Sequence, residues 1–141
     1  MYRIVDANID DIEQIVHIEN SEFEKEKYDE AQLSEMLKLD NYKIFVLKNK
    51  FIVLGYIIIY RNIDFDEIFK VAINKKFRRQ GLGTVLLSYV KNNCKNKLFL
   101  ELKETNVVAL EFYKKNGFVI NGERKNYYGT SMNAILMEFR K

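Results

Sequence analysis

Two glycines one residue apart, Gly81 and Gly83, close the stretch RRQGLG at residues 78–83. It lies between the apolar run Val71, Ala72, Ile73 and a run from Thr84 to Val90 that has helical spacing. Glycine carries no Cβ, so backbone N–H groups there can approach a ligand closely. A helix starting at the same place adds the positive end of its dipole. This chemistry favours a phosphate. A P-loop is excluded, because Gly81 and Gly83 are too close together and no Lys-Ser or Lys-Thr follows. A dinucleotide fingerprint would need a third small residue where Leu86 stands, and belongs in a first strand–helix unit. The plain alternative is a solvated basic turn, which would leave two glycines weakening a helix start for no purpose.

Glu101 is the second candidate. It stands in the apolar strand Leu98-Phe99-Leu100-Glu101-Leu102, where a carboxylate is costly unless it has a partner or a task. Partial desolvation would raise its pKa toward the range of a general base. The competing reading puts it on a solvent face beside a lysine. Cys94 is the single cysteine, read as a structural thiol with no histidine neighbour in sequence to activate it. His17, the only histidine, lies on the first helix without partners for a ligand or base role and is read as a surface or boundary residue. No metal is expected.

These residues need elements to hold them. Tyr2 to Asp6 reads as a strand, and Asn8 can cap a helix bearing Ile12, Ile15 and Val16. Asp29 and Gln32 resemble a capping box opening a second helix with Leu33, Met36 and Leu37 on one face. SEFEKEKYDE between them reads as a solvated linker or helix end. Tyr42 to Lys48, Phe51 to Tyr60 and Ile68 to Ile73 are strands, the first two joined by a tight turn at Asn49-Lys50. Leu82, Val85, Leu86, Tyr89 and Val90 form one buried helical stripe, followed by a strand from Leu98 to Lys103. Thr105 or Asn106 caps a helix through Lys115, with Asn116-Gly117 as its left-handed exit. Phe118 to Ile120 and Asn133 to Phe139 are the last strands, separated by a polar, Tyr-rich segment. The order β-α-α-β-β-β-α-β-α-β-β predicts an α/β (α+β) fold, a mostly antiparallel mixed sheet with about four helices.

A chain of 141 residues with 48% hydrophobic composition suits a single domain spanning 1–141. No apolar run approaches the roughly 20 residues of a membrane span, and the N-terminus lacks a signal-peptide pattern. A soluble, cytoplasmic protein with no membrane partner is expected. A net charge of +3 is far from the basicity of a nucleic-acid binder, and no nucleic-acid partner is expected.

Three stretches resemble the GNAT N-acetyltransferases: VAINKKFRRQGLG (71–83), LELKETNVVALEFYKKNGF (100–118) and ERKNYYGTSMNAILMEF (123–139). The first is similar to the family's acyl-CoA signature, with Arg78, Gly81 and Gly83 at its defining positions. The resemblance implies acetyl-CoA as cosubstrate. Its pyrophosphate would lie over Arg79, Gln80, Gly81, Leu82, Gly83 and Thr84, and its pantetheine amides would pair with Val71, Ala72 and Ile73 like an added strand. Within the family, the order LELK, ETN, FYKKNGF, KNYY resembles the ribosomal-protein-alanine N-acetyltransferase branch, which acetylates a protein N-terminus.

On that resemblance Glu101 is the general base and Tyr113, also part of the cofactor site, is the acid that protonates the departing thiolate. A half-buried tyrosine packing beside Leu110 is the plainer reading of Tyr113. Asn106 either holds the pantetheine arm or only caps its helix, and Tyr127 and Tyr128 either line the acceptor groove or pack as a hairpin pair. An α-amino group, with a pKa of about 7.7–8.0, needs less help to become neutral than a lysine amine near about 10.4. The chain departs from the branch at Lys103, where arginine is usual, at Phe112 in place of leucine, and at Met132-Asn133-Ala134 in place of Glu-Asp-Ala. These departures touch acceptor identity. The expected acceptor is a peptide or protein N-terminus, a ribosomal protein among them.

The second reading is a GNAT enzyme for a small amine, a polyamine, amino acid or aminoglycoside, favoured if Glu19 to Glu26 and Asp64 to Glu67 make the groove acidic. A third is a non-catalytic acyl-CoA-binding module. A fourth, nucleic-acid binding through Lys75, Lys76, Arg78 and Arg79, would carry a steep salt dependence.

Overall fold

This computed structural model describes residues 2–94, 97–129 and 132–140, apart from the Tyr128 side chain. Its elements are β1 (Arg3–Asp6), α1 (Ile12–Glu22), α2 (Glu30–Lys38), β2 (Tyr42–Asn49), β3 (Ile52–Arg61), β4 (Phe65–Ile73), α3 (Leu82–Asn93), β5 (Lys97–Lys103), α4 (Val107–Lys115), β6 (Val119–Gly129) and β7 (Met132–Phe139). The order of strands and helices is the one expected from sequence. One seven-stranded sheet runs β1-β2-β3-β4-β5-β7-β6, antiparallel at every pair except β4–β5.

Helices cover both faces. On one, Ile12, Ile15 and Ile18 of α1 and Leu33 and Met36 of α2 pack on Ile44, Val46, Tyr56, Ile58 and Ala72. On the other, Leu82, Leu86, Leu87 and Val90 of α3 and Tyr113 of α4 pack on Leu47, Ile57, Ile59, Ile68, Leu98 and Leu100. Coverage from both sides explains why β3 is buried continuously from Val53 to Ile59, without polar alternation.

Two details of the sheet create the site. In β4, Lys70 pairs with Ile58 and Ile68 with Ile59, so Phe69 is an extra residue, a β-bulge. Strict alternation would put Ile68 and Ala72 on one face; the bulge sends Ile68 to the α3 side and leaves Ala72 on the α1 side. The second detail is the parallel pairing of β4 and β5, which covers only Phe65, Asp66 and Glu67 against Lys97, Leu98 and Phe99. Beyond Glu67 the two strands part, and a crevice opens between them.

Several boundaries differ from expectation. Asn8 caps a 3-10 turn, Ile9–Asp11, that precedes α1. The β2–β3 turn falls on Lys50-Phe51, one residue later, with Lys50 left-handed at φ 56°. Strand β4 begins at Phe65 rather than Ile68, and β6 runs through the Tyr-rich segment to Gly129. The segment after α1 is more than a solvated linker, since Phe23 and Tyr28 pack over Lys70. The capping box at Asp29, the Asn106 cap and the left-handed Gly117 (φ 89°) are as expected.

Candidate active site

Two cavities flank the parting of β4 and β5. The one on the α3 side, about 670 Å³, is lined by Val71, Ala72 and Ile73 of β4, by Arg78, Arg79, Gly81, Leu82, Gly83 and Thr84, and by Asn106, Phe112 and Tyr113. Gln80, alone of the expected cofactor residues, is exposed in the loop and outside this lining. The other cavity, about 530 Å³, is lined by Phe23, Glu24, Lys25 and Glu26, by Ile68 to Val71, and by Leu100 to Lys103. Glu22, Phe23, Val71, Asn106, Ala109 and Tyr113 line both. The two spaces therefore meet along one face of α4, from Asn106 to Tyr113.

Backbone shape suits the first cavity to an anion. Arg79 (φ 66°) and Gly81 (φ 72°) are both left-handed, and Gly81 is the N-cap of α3 without a side-chain cap hydrogen bond. No acidic residue lies in that first turn. The N–H groups at this helix start thus point to ligand space with the dipole behind them. At Gly83, a Cβ would lie 3.2 Å from Phe112 Cζ, so the ring of Phe112 holds the loop against α4. Arg78, 48% exposed, lays its guanidinium on the Glu22 carboxylate at the end of α1. It joins the loop to the segment that walls the second cavity.

Tyr113 is buried, its ring edge-on to Phe112 and Phe118 at 5.2 and 5.4 Å. Burial pushes its phenol pKa well above the ordinary value, so it keeps its proton at neutral pH. The Asn106 side chain accepts the Ala109 N–H at 3.2 Å, capping α4 while still lining both cavities.

Glu101 faces the second cavity and is 13% exposed. Its partner is Arg124 of β6, at 3.2 Å, rather than a lysine. Glu67 belongs to the same cluster: its carboxyl pKa is raised by desolvation first and by the Glu101 charge second, with Arg124 opposing. Lys103 Nζ lies 3.6 Å from Glu26 Oε1, a contact across the cavity from β5 to the loop after α1. Tyr127 is outside both linings, 53% exposed, with the Arg124 guanidinium 5.2 Å from its ring centroid. The Tyr128 side chain lies outside the described residues.

Sequence reasoning missed Arg124 and Lys70, and it places Glu22 and Glu67 only within acidic segments that could line an acceptor groove. Lys70 carried the signal that exposed Glu101, a charge inside an apolar strand; Arg124 carried none. Among the described residues no group of three or more His, Cys, Asp or Glu side chains is placed to hold a metal ion, and no helix is long and apolar enough to cross a membrane.

Comparison with known proteins agrees with this architecture. The family model described as an acetyltransferase (GNAT) domain matches residues 9–139. A Bacillus subtilis protein named "putative ribosomal protein bS18-alanine N-acetyltransferase" is 32% identical over 124 residues, 85% of this chain and 82% of that protein. The crystal structure of the ribosomal-protein-S18-alanine N-acetyltransferase from Escherichia coli superposes with a TM-score of 0.82 at 26% identity, covering 99% of this chain and 94% of that one. An aminoglycoside 6'-N-acetyltransferase complexed with coenzyme A shares the fold, with a TM-score of 0.83 at 17% identity and coverage of 98% and 96%.

Proposed function

The chain belongs to the acetyltransferase (GNAT) domain family and is an acyltransferase, and we propose that it acetylates the N-terminal α-amino group of a protein, a ribosomal protein among the acceptors. The donor is acetyl-CoA. One observation carries the reading: a cavity with a backbone anion site and a cavity holding Glu101 meet at a buried tyrosine. A donor and an acceptor approaching from opposite sides would be joined there, in one ternary complex.

The residues fit the donor. The loop 78–84 offers N–H groups and a helix dipole to a pyrophosphate, while Val71, Ala72 and Ile73, beyond the β4–β5 pairing, offer strand backbone to amides. The acetyl group arrives as a thioester; transfer forms a bond from the amine nitrogen to the carbonyl carbon and breaks the carbon–sulfur bond. Glu101 takes the proton lost by the amine, directly or through water, and Tyr113 gives its phenolic proton to the departing thiolate. The raised Tyr113 pKa suits a group that must stay protonated until sulfur leaves.

A second reading, acetylation of a small amine, has its own support: Glu24, Glu26 and Glu101 line the acceptor cavity, and Glu67 adjoins Glu101. One experiment separates the readings. The protein is incubated with acetyl-CoA and peptides with free or blocked N-termini, some containing lysine, together with spermidine, and mass spectrometry locates the acetylated nitrogens. Product confined to free N-termini, lost in Glu101→Gln and Tyr113→Phe while acetyl-CoA still binds, supports the proposal. Acetylated spermidine alone selects the small-amine reading. Binding of acetyl-CoA with no product from any amine favours a non-catalytic module.

A further inference from the structure

A lysine in the middle of β4 is costly to bury, and Lys70 is largely withdrawn from solvent: its side chain is 11% exposed and that of its partner Glu19 is 0% exposed. The Lys70 ammonium donates to Glu19 Oε1 at 2.6 Å and to the Glu26 carbonyl. It also lies 4.1 Å from the Phe23 ring centroid and 4.3 Å from that of Tyr28, both within cation–π range. Glu19 in turn accepts the Tyr28 N–H at 2.7 Å and the Tyr56 hydroxyl. One ion pair thus gathers α1, β3, β4 and three residues of the segment between α1 and α2.

Besides this cage, that segment is held by side chains: the Lys103–Glu26 ion pair and the packing of Phe23 and Tyr28 on the core under α1. Among the described residues, its backbone makes no hydrogen bond to other backbone between residues 24 and 28. Yet Phe23, Glu24, Lys25 and Glu26 form one wall of the acceptor cavity. Lys70 adjoins Val71, the first residue of the strand edge that faces the donor side. The Lys70 ammonium therefore ties the wall directly to the donor strand, beside the packing of Phe23 and Tyr28 on the core under α1.

Resting on the acetyltransferase reading, we propose that Lys70 is a positioning residue that sets acceptor selectivity: by caging its ammonium, Glu19, Phe23, Glu26 and Tyr28 lock the wall that limits the size of the acceptor's first residue. Lys70 touches neither reacting atom nor proton. Its loss loosens the wall and leaves the anion loop, Glu101 and Tyr113 in place.

The test uses Lys70→Met and Lys70→Arg in the full chain, with peptides whose first residue runs from alanine to phenylalanine. In Lys70→Met, the ratio of kcat/KM for the best to the worst first residue falls at least fivefold. KM for the best peptide rises, while kcat and acetyl-CoA Kd change less than threefold. Lys70→Arg keeps the charge over both rings and recovers part of the ratio. Amide hydrogen exchange supplies a readout independent of turnover: the Tyr28 N–H and its neighbours exchange at least tenfold faster in Lys70→Met, whereas α3 and the 78–84 loop do not change. If Lys70→Met folds poorly, Tyr28→Leu removes one ring of the cage and moves both readouts in the same direction by less. Unchanged selectivity with unchanged exchange overturns the proposal, as does a parallel fall of kcat, acetyl-CoA affinity and melting temperature. A wild-type protein that acetylates no peptide N-terminus overturns the acceptor reading instead, and the exchange experiment still decides whether Lys70 holds the wall.

Discussion

On the donor side of the β4–β5 parting, the binding surface comes largely from consecutive residues, 71–73 and 78–84, and presents mostly backbone. On the acceptor side it comes from the end of α1, the loop after it, β4, β5 and α4, and presents side chains in ionic pairs, Glu101 with Arg124 of β6, Lys103 with Glu26 and Lys70 with Glu19. Backbone recognition depends on conformation, so a few glycines suffice to specify it. Side-chain recognition depends on the sheet bringing distant charges together, so single substitutions can change it. A family with a common donor and many acceptors would divide its labour in this way.

Breaking the acceptor side alone should have the largest effect. Glu101→Gln should lower kcat by about 10²–10⁴-fold, the range for loss of a general base, with acetyl-CoA affinity unchanged by calorimetry. Gly83→Val attacks the donor side: its side chain meets the Phe112 ring, overpacking should cost about 1–3 kcal/mol of stability, read as a lower melting temperature, and acetyl-CoA binding should weaken as the loop shifts. Phe112→Leu in the same chain should restore part of it, and no restoration would show that the clash is not the cause.

Asp29→Ala reaches the acceptor wall from its far end. Asp29 accepts the Gln32 N–H at 2.8 Å and its own N–H donates back to the Gln32 side chain at 2.9 Å. Loss of this reciprocal cap should cost about 1 kcal/mol, read as a melting temperature lower by about 2–8 °C. The smallest effect belongs to Glu67→Gln. Because the folded state raises the Glu67 pKa, its carboxylate opposes folding at pH values above that raised pKa, and the penalty vanishes as pH falls below the ordinary 4.5. The variant should melt slightly higher than wild type at pH 7 and no higher at pH 4. An advantage that persists at pH 4 would mean that the Glu67 charge is not its source.

The same contrast explains what could be read from sequence. The anion loop was legible because its conformational demand falls on neighbouring residues, two of them glycines. Glu101 stood out against its strand, but its partner did not, since Arg124 lies on an edge strand whose exposed residues carry no apolar alternation. For that reason the sequence predicts a strand ending at Ile120, although β6 continues to Gly129. The first half of β4 was missed because Asp66 and Glu67 look like loop residues until the pairing with β5 is known. Lys70 and Glu19 are 51 positions apart, and nothing local announces that they meet.

Phe69 is the spare residue of β4. Take it out, and Ile68 would sit directly before Lys70 with the two already on opposite faces, Ile68 in the cluster under α3 and Lys70 toward Glu19 of α1. Both flanks would keep their neighbours, and the loss would be confined to the local bend and to the contacts of the Phe69 ring with Tyr42 and Tyr60. An insertion or deletion that leaves the bulge in place is another matter, because it would turn one flank of the strand inside out. Homologous sequences aligned across this segment should accordingly vary in number at the bulge and only in letters beside it.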